Sequence, residues 1–70
     1  MQIAEATKTF KAPPADPKLG TSIRITEGTI GEVGNPLPDD PNKRVWIQFA
    51  REHTGAVWIA TEPDKFKIVA

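Results

Sequence analysis

The segment from residue 44 to residue 60 constrains the fold more than any other part of this chain. It contains two runs of alternating β-forming residues, Arg44–Ala50 and Ala56–Ala60, with a short polar loop between them that ends at Gly55. This pattern is typical of a β-hairpin. The sequence therefore predicts two antiparallel strands here and favours a β-rich fold.

The same alternation predicts which side chains each face of the hairpin carries. Every second side chain of a strand points to the same side of its sheet. If Ala50 pairs with Ala56, Trp46 and Trp58 become diagonal neighbours on the outer face, at roughly 7–8 Å spacing. An exposed indole pair suits contact with a protein, a planar ligand or a nucleobase. The residues predicted to face the core are Val45, Ile47, Phe49, Val57 and Ile59.

Two strands and a loop are predicted before the hairpin. The segments Thr21–Thr26 and Thr29–Val33 read as strands, with Gly31 marking a bulge or a close backbone approach. Gly34–Asn42 holds three prolines, which cannot serve a central strand, and is predicted to be a loop. We interpret the paired acids Asp39 and Asp40 in this loop as a solvated turn.

The two ends of the chain are read differently. Thr61 is predicted to cap a one-turn helix, Phe66 to enter the core, and Lys67–Val69 to form the last strand. Residues 1–19 contain three prolines and are predicted to be a flexible tail, which Phe10 could pin to the folded part.

Five short strands and one helical turn before the last of them predict an SH3-like barrel over residues 20–70. Closing the sheet on itself hides strand edges in a small all-β domain. An OB barrel is the alternative, but it needs longer strands and a helix between the third and the fourth. Because 70 residues make a small core and the chain has no cysteine, assembly into a homo-oligomer is expected to add stability.

Composition excludes several classes of function. Nine basic and nine acidic residues are interspersed, whereas a nucleic-acid-binding protein usually shows a basic footprint. No apolar run is long enough to span a membrane and no signal peptide is recognisable, so a cytoplasmic location is expected. The single histidine, His53, has no nucleophile beside it, and without cysteine a transition-metal site is not expected.

One stretch resembles a known enzyme family. Glu52–Ile59, read together with Phe66–Ile68, resembles the C-terminal half of the type II (plasmid- and integron-borne) dihydrofolate reductases, and Gly20–Arg24 resembles their opening strand. The resemblance implies an SH3-like barrel that assembles as a tetramer around one pore, where folate and NADPH stack. It implies that Val57–Ala60 forms the pore floor. It also implies an oligomer interface around His53, formed by Arg51, Glu52, His53 and Thr54.

The chain departs from that family where the chemistry occurs. The family's active strand reads Val-Gln-Ile-Tyr, but here Trp58 replaces the glutamine that grips both ligands and Ala60 replaces the tyrosine. Ile25 stands where the family has a lysine that meets ligand charge. The resemblance therefore supports the fold and the assembly more than the reaction.

Three functional hypotheses follow. The first is a non-catalytic module, without a cofactor, that binds itself or another protein through the aromatic face. The second is a divergent type II reductase that uses NADPH. The third is a nucleic-acid module of the KOW type, in which Arg24, Lys43, Arg44 and Arg51 would have to converge. The residues predicted to bind the ligand or partner are Trp46, Gln48, Trp58, Ile59 and Ala60.

Overall fold

A computed structural model describes residues 1–51 and 55–70. Over these residues the protein is all-β, with seven strands in two sheets and two short 3-10 turns, Pro17–Leu19 and Pro63–Lys65. The strands are β1 (Ile3–Ala6), β2 (Phe10–Ala12), β3 (Ile23–Ile25), β4 (Ile30–Pro36), β5 (Val45–Arg51), β6 (Gly55–Thr61) and β7 (Phe66–Ile68).

Both sheets contribute to one core. The larger sheet has the antiparallel order β6-β5-β4-β1-β7, and β2 pairs with β3 in the smaller one. The sheets are linked at β6, where Pro14 forms a bridge with Ile59 and the Ala15 amide donates to the Trp58 carbonyl at 2.9 Å. The buried apolar residues are Ala4, Ala6, Phe10, Ile23, Ile25, Ile47, Phe49, Val57 and Ile59.

The predicted hairpin is confirmed, including its register. Ala50 pairs with Ala56, and this register sets Gln48 opposite Trp58. Four of the five predicted core residues are buried, while Val45, at the start of β5, is half-buried. The local alternation of side chains is therefore sufficient to predict both faces of this unit.

The structure contradicts the prediction of a flexible tail over residues 1–19 and of a domain that begins at residue 20. Strand β1 lies inside the larger sheet, paired with β4 on one side and β7 on the other. Ala4 and Ala6 are buried, and the Phe10 ring packs edge-on against Phe49 with centroids 6.1 Å apart. The inward positions of β1 are alanines, which give a weak apolar signal, and both partners of β1 are distant in sequence.

The second predicted strand is longer than expected. It continues through Gly34 to Pro36, with a register shift between Val33 and Pro36 where the ladder is interrupted. The close approach predicted at Gly31 is confirmed, because a Cβ there would lie 2.6 Å from Ile47 Cγ2 and 2.9 Å from the Gln48 carbonyl oxygen. The bulge is thus displaced from Gly31 toward the prolines.

The turn before the last strand begins later than predicted. It spans Pro63–Lys65, and Glu62 occupies the cap position without a side-chain capping bond. Thr61 is the last residue of β6, and its buried hydroxyl donates to the Ile59 carbonyl at 3.0 Å. Phe66 packs against the core but stays half-buried, and it begins the last strand, which spans Phe66–Ile68 rather than Lys67–Val69.

The loop between β4 and β5 is held by Asp40 rather than being fully solvated at this residue. The Arg44 side chain donates from Nε to the Asp40 carboxylate at 2.8 Å, and the Arg44 amide donates to it at 2.9 Å. The Asp40 side chain is only 6% exposed. These bonds from Arg44, together with one from the Asn42 amide, hold the pKa of Asp40 below its ordinary value of 3.8.

We expect Asp40→Asn to lower the urea midpoint near neutral pH. A carboxylate whose pKa is lower in the folded state stabilises that state above its unfolded pKa, and this contribution disappears as pH falls through the folded value. The difference between wild type and variant should therefore shrink below pH 3.8. Asp39→Asn, at the neighbouring exposed position, serves as the control; a constant difference at all pH values would contradict the assignment.

Candidate interaction surface

Strands β4, β5 and β6 place the two indoles on the outer face of the larger sheet. Trp58 on β6 lies opposite Gln48 on β5, and Gln48 lies opposite Glu32 on β4. Because these pairs share one side of the sheet, their side chains form a row across three strands. Trp46, two residues before Gln48, lies diagonal to Trp58 as predicted.

The Trp58 indole reaches across β5 to the backbone of β4. A Cβ on Gly34 would lie 2.7 Å from Trp58 Cζ3 and 3.1 Å from Cη2. The missing side chain at Gly34 therefore makes the space in which the ring rests. The ring is held in this way while Trp58 stays 38% exposed, which is the state expected of a pre-positioned contact residue.

A shallow groove lies beside the ring. Its volume is about 230 Å³, and Gly34, Asn35, Trp46 and Trp58 line it. Two aromatic walls suit an apolar side chain or a small flat group, and the Asn35 amide can both donate and accept hydrogen bonds. This volume is below the range of about 300–1,000 Å³ that is usual for drug-sized ligands, which favours one inserted side chain.

The groove lies on a face with few charges. A second row of outward side chains runs across the same strands beside the indole row. It contains Ala56 on β6, Ala50 on β5 and Ile30 on β4, and Ile30 is 45% exposed. This row ends at Glu5 and Lys67, whose side chains pair at 3.8 Å. The outer face is thus mostly apolar around the indoles. Its charges are the exposed Glu32, in the row of Gln48 and Trp58, and the Glu5–Lys67 pair, which carries no net charge.

The structure brings together most of the predicted binding residues. Trp46, Gln48 and Trp58 are neighbours, and Ala60 lies opposite Trp46 on the same face. Ile59 does not belong with them, because it alternates with Trp58 and is completely buried in the core; its assignment to the site is wrong.

Two contributors to this surface were missed from sequence. Gly34 and Asn35 precede Pro36, and the sequence predicts a loop from Gly34 onward, whereas both residues lie in β4. A glycine next to a strand pattern can mark a close backbone approach, but the contact of Gly34 with Trp58 depends on the order of the strands in the sheet.

Only one residue of the predicted oligomer interface, Arg51, lies within the described part of the chain. Glu52, His53 and Thr54 lie outside the described residues. Arg51 is described, and it lines a separate cavity together with Arg24.

The four basic residues required for a nucleic-acid face do not converge. Arg44 is paired with Asp40 at the start of β5, whereas Arg51 ends that strand, about 20 Å away at the usual rise per residue. Within residues 1–51 and 55–70, no three metal-ligating side chains cluster. No helix in the described part of the chain is long and apolar enough to cross a membrane.

No protein-family model, curated protein or solved structure matches this chain. The resemblance to the type II reductases therefore stays a prediction from the residues that carry it.

Proposed function

We propose that this chain is a non-catalytic binding module with an SH3-like barrel, and that its outer face around Trp46 and Trp58 docks a second copy of itself. The observation that carries the proposal is the Trp58 ring, which rests on Gly34 and is still 38% exposed. A ring held in place loses little conformational freedom on binding, so most of its apolar contact contributes to affinity.

The barrel part of the proposal is supported by how the two sheets meet. The Pro14–Ile59 bridge joins the smaller sheet to the free side of β6, and one apolar cluster lies beneath both sheets. A single 3-10 turn, Pro63–Lys65, precedes the last strand, as in the barrel predicted from sequence.

Self-association is favoured by charge and by size. A twofold interface brings the same patch of two copies together, so a patch with a large net charge would repel its copy. The face around the indoles is mostly apolar. Glu32 adds one negative charge to it, and the Glu5–Lys67 pair at its end carries no net charge. A chain of 70 residues without disulfides also gains from covering such a face.

We expect Trp58→Ala to weaken self-association by about 2 kcal/mol or more, which is about a 30-fold rise in Kd. Trp46→Ala should act in the same direction, because this residue lines the same groove. Sedimentation equilibrium of the full chain measures the Kd values. The matched control is Val69→Ala, which removes an exposed apolar side chain outside the groove and should leave Kd unchanged.

The Gly34→Ala variant tests whether association depends on the position of the Trp58 ring, because it displaces the ring without removing it. The added methyl would force Trp58 off β4, so we expect weaker association even though both indoles remain. Unchanged association in all three groove variants, or a monomeric wild type, would contradict the proposal of a self-docking face.

A further inference from the structure

A second cavity lies apart from the aromatic groove. It forms where the end of β3, the start of β4 and the end of β5 meet, and its volume is about 610 Å³. This volume is within the usual range for small-molecule sites, and no residue is shared with the groove. The lining residues are Arg24, Ile25, Thr26, Thr29, Ala50 and Arg51.

Positive charge gathers at this cavity. Arg24 and Arg51 both line it, and Lys11 lies directly opposite Arg24 in the β2–β3 pair. Like charges at directly opposite positions destabilise a strand pair. Lys11 and Arg24 are both exposed on the same side of that pair, so an anion between them would relieve the repulsion.

The described carboxylates do not supply that anion. The ion pairs among residues 1–51 and 55–70 are Lys8–Asp64, Arg44–Asp40, Lys65–Glu62 and Lys67–Glu5. None of them involves a cation of this cavity. The chain has equal numbers of acidic and basic residues, so the positive excess among the described residues at this cavity arises from their placement and not from composition.

Two hydroxyl groups add a polar wall to the cavity. Thr29 Oγ1 donates its hydrogen to the Thr26 carbonyl at 2.6 Å. The 3.1 Å contact between the two hydroxyls therefore has Thr26 as its donor, and lone pairs of both oxygens remain to accept from a ligand. The cavity thus combines cationic donors with neutral acceptors.

We propose that this cavity binds a small organic phosphate, a phosphomonoester that also carries a hydroxyl or amine group. The planar guanidinium groups of Arg24 and Arg51 match phosphate oxygens with paired hydrogen bonds. Two or three cations balance the charge of a phosphomonoester near neutral pH. The Thr26–Thr29 pair accepts from the ligand's hydroxyl or amine, and the Ala50 methyl contacts its carbon skeleton. This site shares no lining residue with the aromatic groove.

The test is a titration of the full-length protein with glycerol 3-phosphate, followed by amide NMR at constant ionic strength in chloride. We expect saturable shifts at the amides of Thr26 and Thr29. Arg24→Gln and Arg51→Gln should each raise Kd at least about tenfold, as expected for a lost hydrogen bond to a charged group. Arg24→Lys keeps the positive charge but loses the planar guanidinium that donates paired hydrogen bonds. Its Kd should therefore lie between those of wild type and Arg24→Gln.

The matched control is Lys43→Gln, which removes one positive charge from the loop before β5, away from the cavity. We expect its Kd to equal that of wild type. Four outcomes would each overturn the proposal: no saturable shift, an equal loss of affinity in the control, equal binding of glycerate as a carboxylate analogue, or preferential binding of a single-stranded oligonucleotide with steep salt dependence.

Discussion

Removing residues 2–12 is expected to abolish cooperative folding of this protein. The deletion removes β1, which hydrogen-bonds to both β4 and β7, and it removes the Phe10 ring from the core. Truncating a buried phenylalanine alone costs about 3–5 kcal/mol. Since a chain of this length has only about 4–10 kcal/mol of stability in total, losing the strand as well should leave no stable fold.

Urea titrations followed by circular dichroism and tryptophan fluorescence measure this effect. Two point variants provide a matched comparison within the same segment. Phe10→Ala should cost about 3 kcal/mol, because the ring is buried against Phe49. Lys11→Ala, at the exposed neighbouring position, should change stability by about 0.5 kcal/mol or less. A deletion variant that unfolds at the wild-type midpoint would show that the segment is a tail.

Gly31→Ala is expected to destabilise the fold by about 2–3 kcal/mol. The new Cβ would lie 2.6 Å from Ile47 Cγ2 and 2.9 Å from the Gln48 carbonyl oxygen. Ile47 is fully buried in the core, and the Gln48 carbonyl belongs to the backbone of the adjacent strand. Because both belong to β5, the clash can be relieved only if β5 moves. Overpacking a core in this way typically costs about 1–3 kcal/mol, and the backbone contact places this site at the upper end.

Gly34→Ala is the matched control for this prediction. It adds the same methyl to the same strand, but the shortest contact of the new Cβ would be with the partly exposed Trp58 ring at 2.7 Å, and its backbone contact, with the Trp46 carbonyl oxygen, would be longer at 3.2 Å. Because the ring can tilt toward solvent, the expected loss of stability is smaller, and tryptophan emission should shift to the red. Equal losses in the two variants would contradict the distinction between the core contact and the surface contact.

The hairpin of β5 and β6 was predictable because its information is local. Alternation along ten or so residues, together with Gly55 after a polar loop, determines the pairing and the two faces. The short strand β3 and the presence of a helical turn at Pro63 follow from similar local patterns, although the capping role predicted for Thr61 does not hold. These elements needed no knowledge of a distant partner.

Strand β1 could not be predicted in the same way. Its inward residues are Ala4 and Ala6, which carry little apolar signal, and the three prolines that follow suggested an extended linker. Its assignment depends on pairing with β4 at Glu32 and with β7 at Lys67, both of which lie far from β1 along the chain. Such pairing is a tertiary effect that a local reading of propensity does not capture.

The surface was predicted in part for a similar reason. The indole pair follows from alternation, but the groove also needs Gly34, which touches Trp58 only because β4 lies on the other side of β5. Alternation also predicts that Ile59 faces the core, and its complete burial agrees with alternation rather than with a role at the surface. Arg24 and Arg51 line one cavity only because strands that are distant in sequence pack together, so this site could not be predicted from local patterns either.

The most direct test of the self-docking face is a dilution series of the wild-type chain, followed by amide and indole NMR from millimolar to low micromolar concentration. Only two indole signals are present, from Trp46 and Trp58. We expect both to shift with concentration, together with the amides of Asn35 and Gln48, while the loop around Lys43 stays constant. Spectra that do not change on dilution, or changes confined to residues away from the groove, would contradict the proposal.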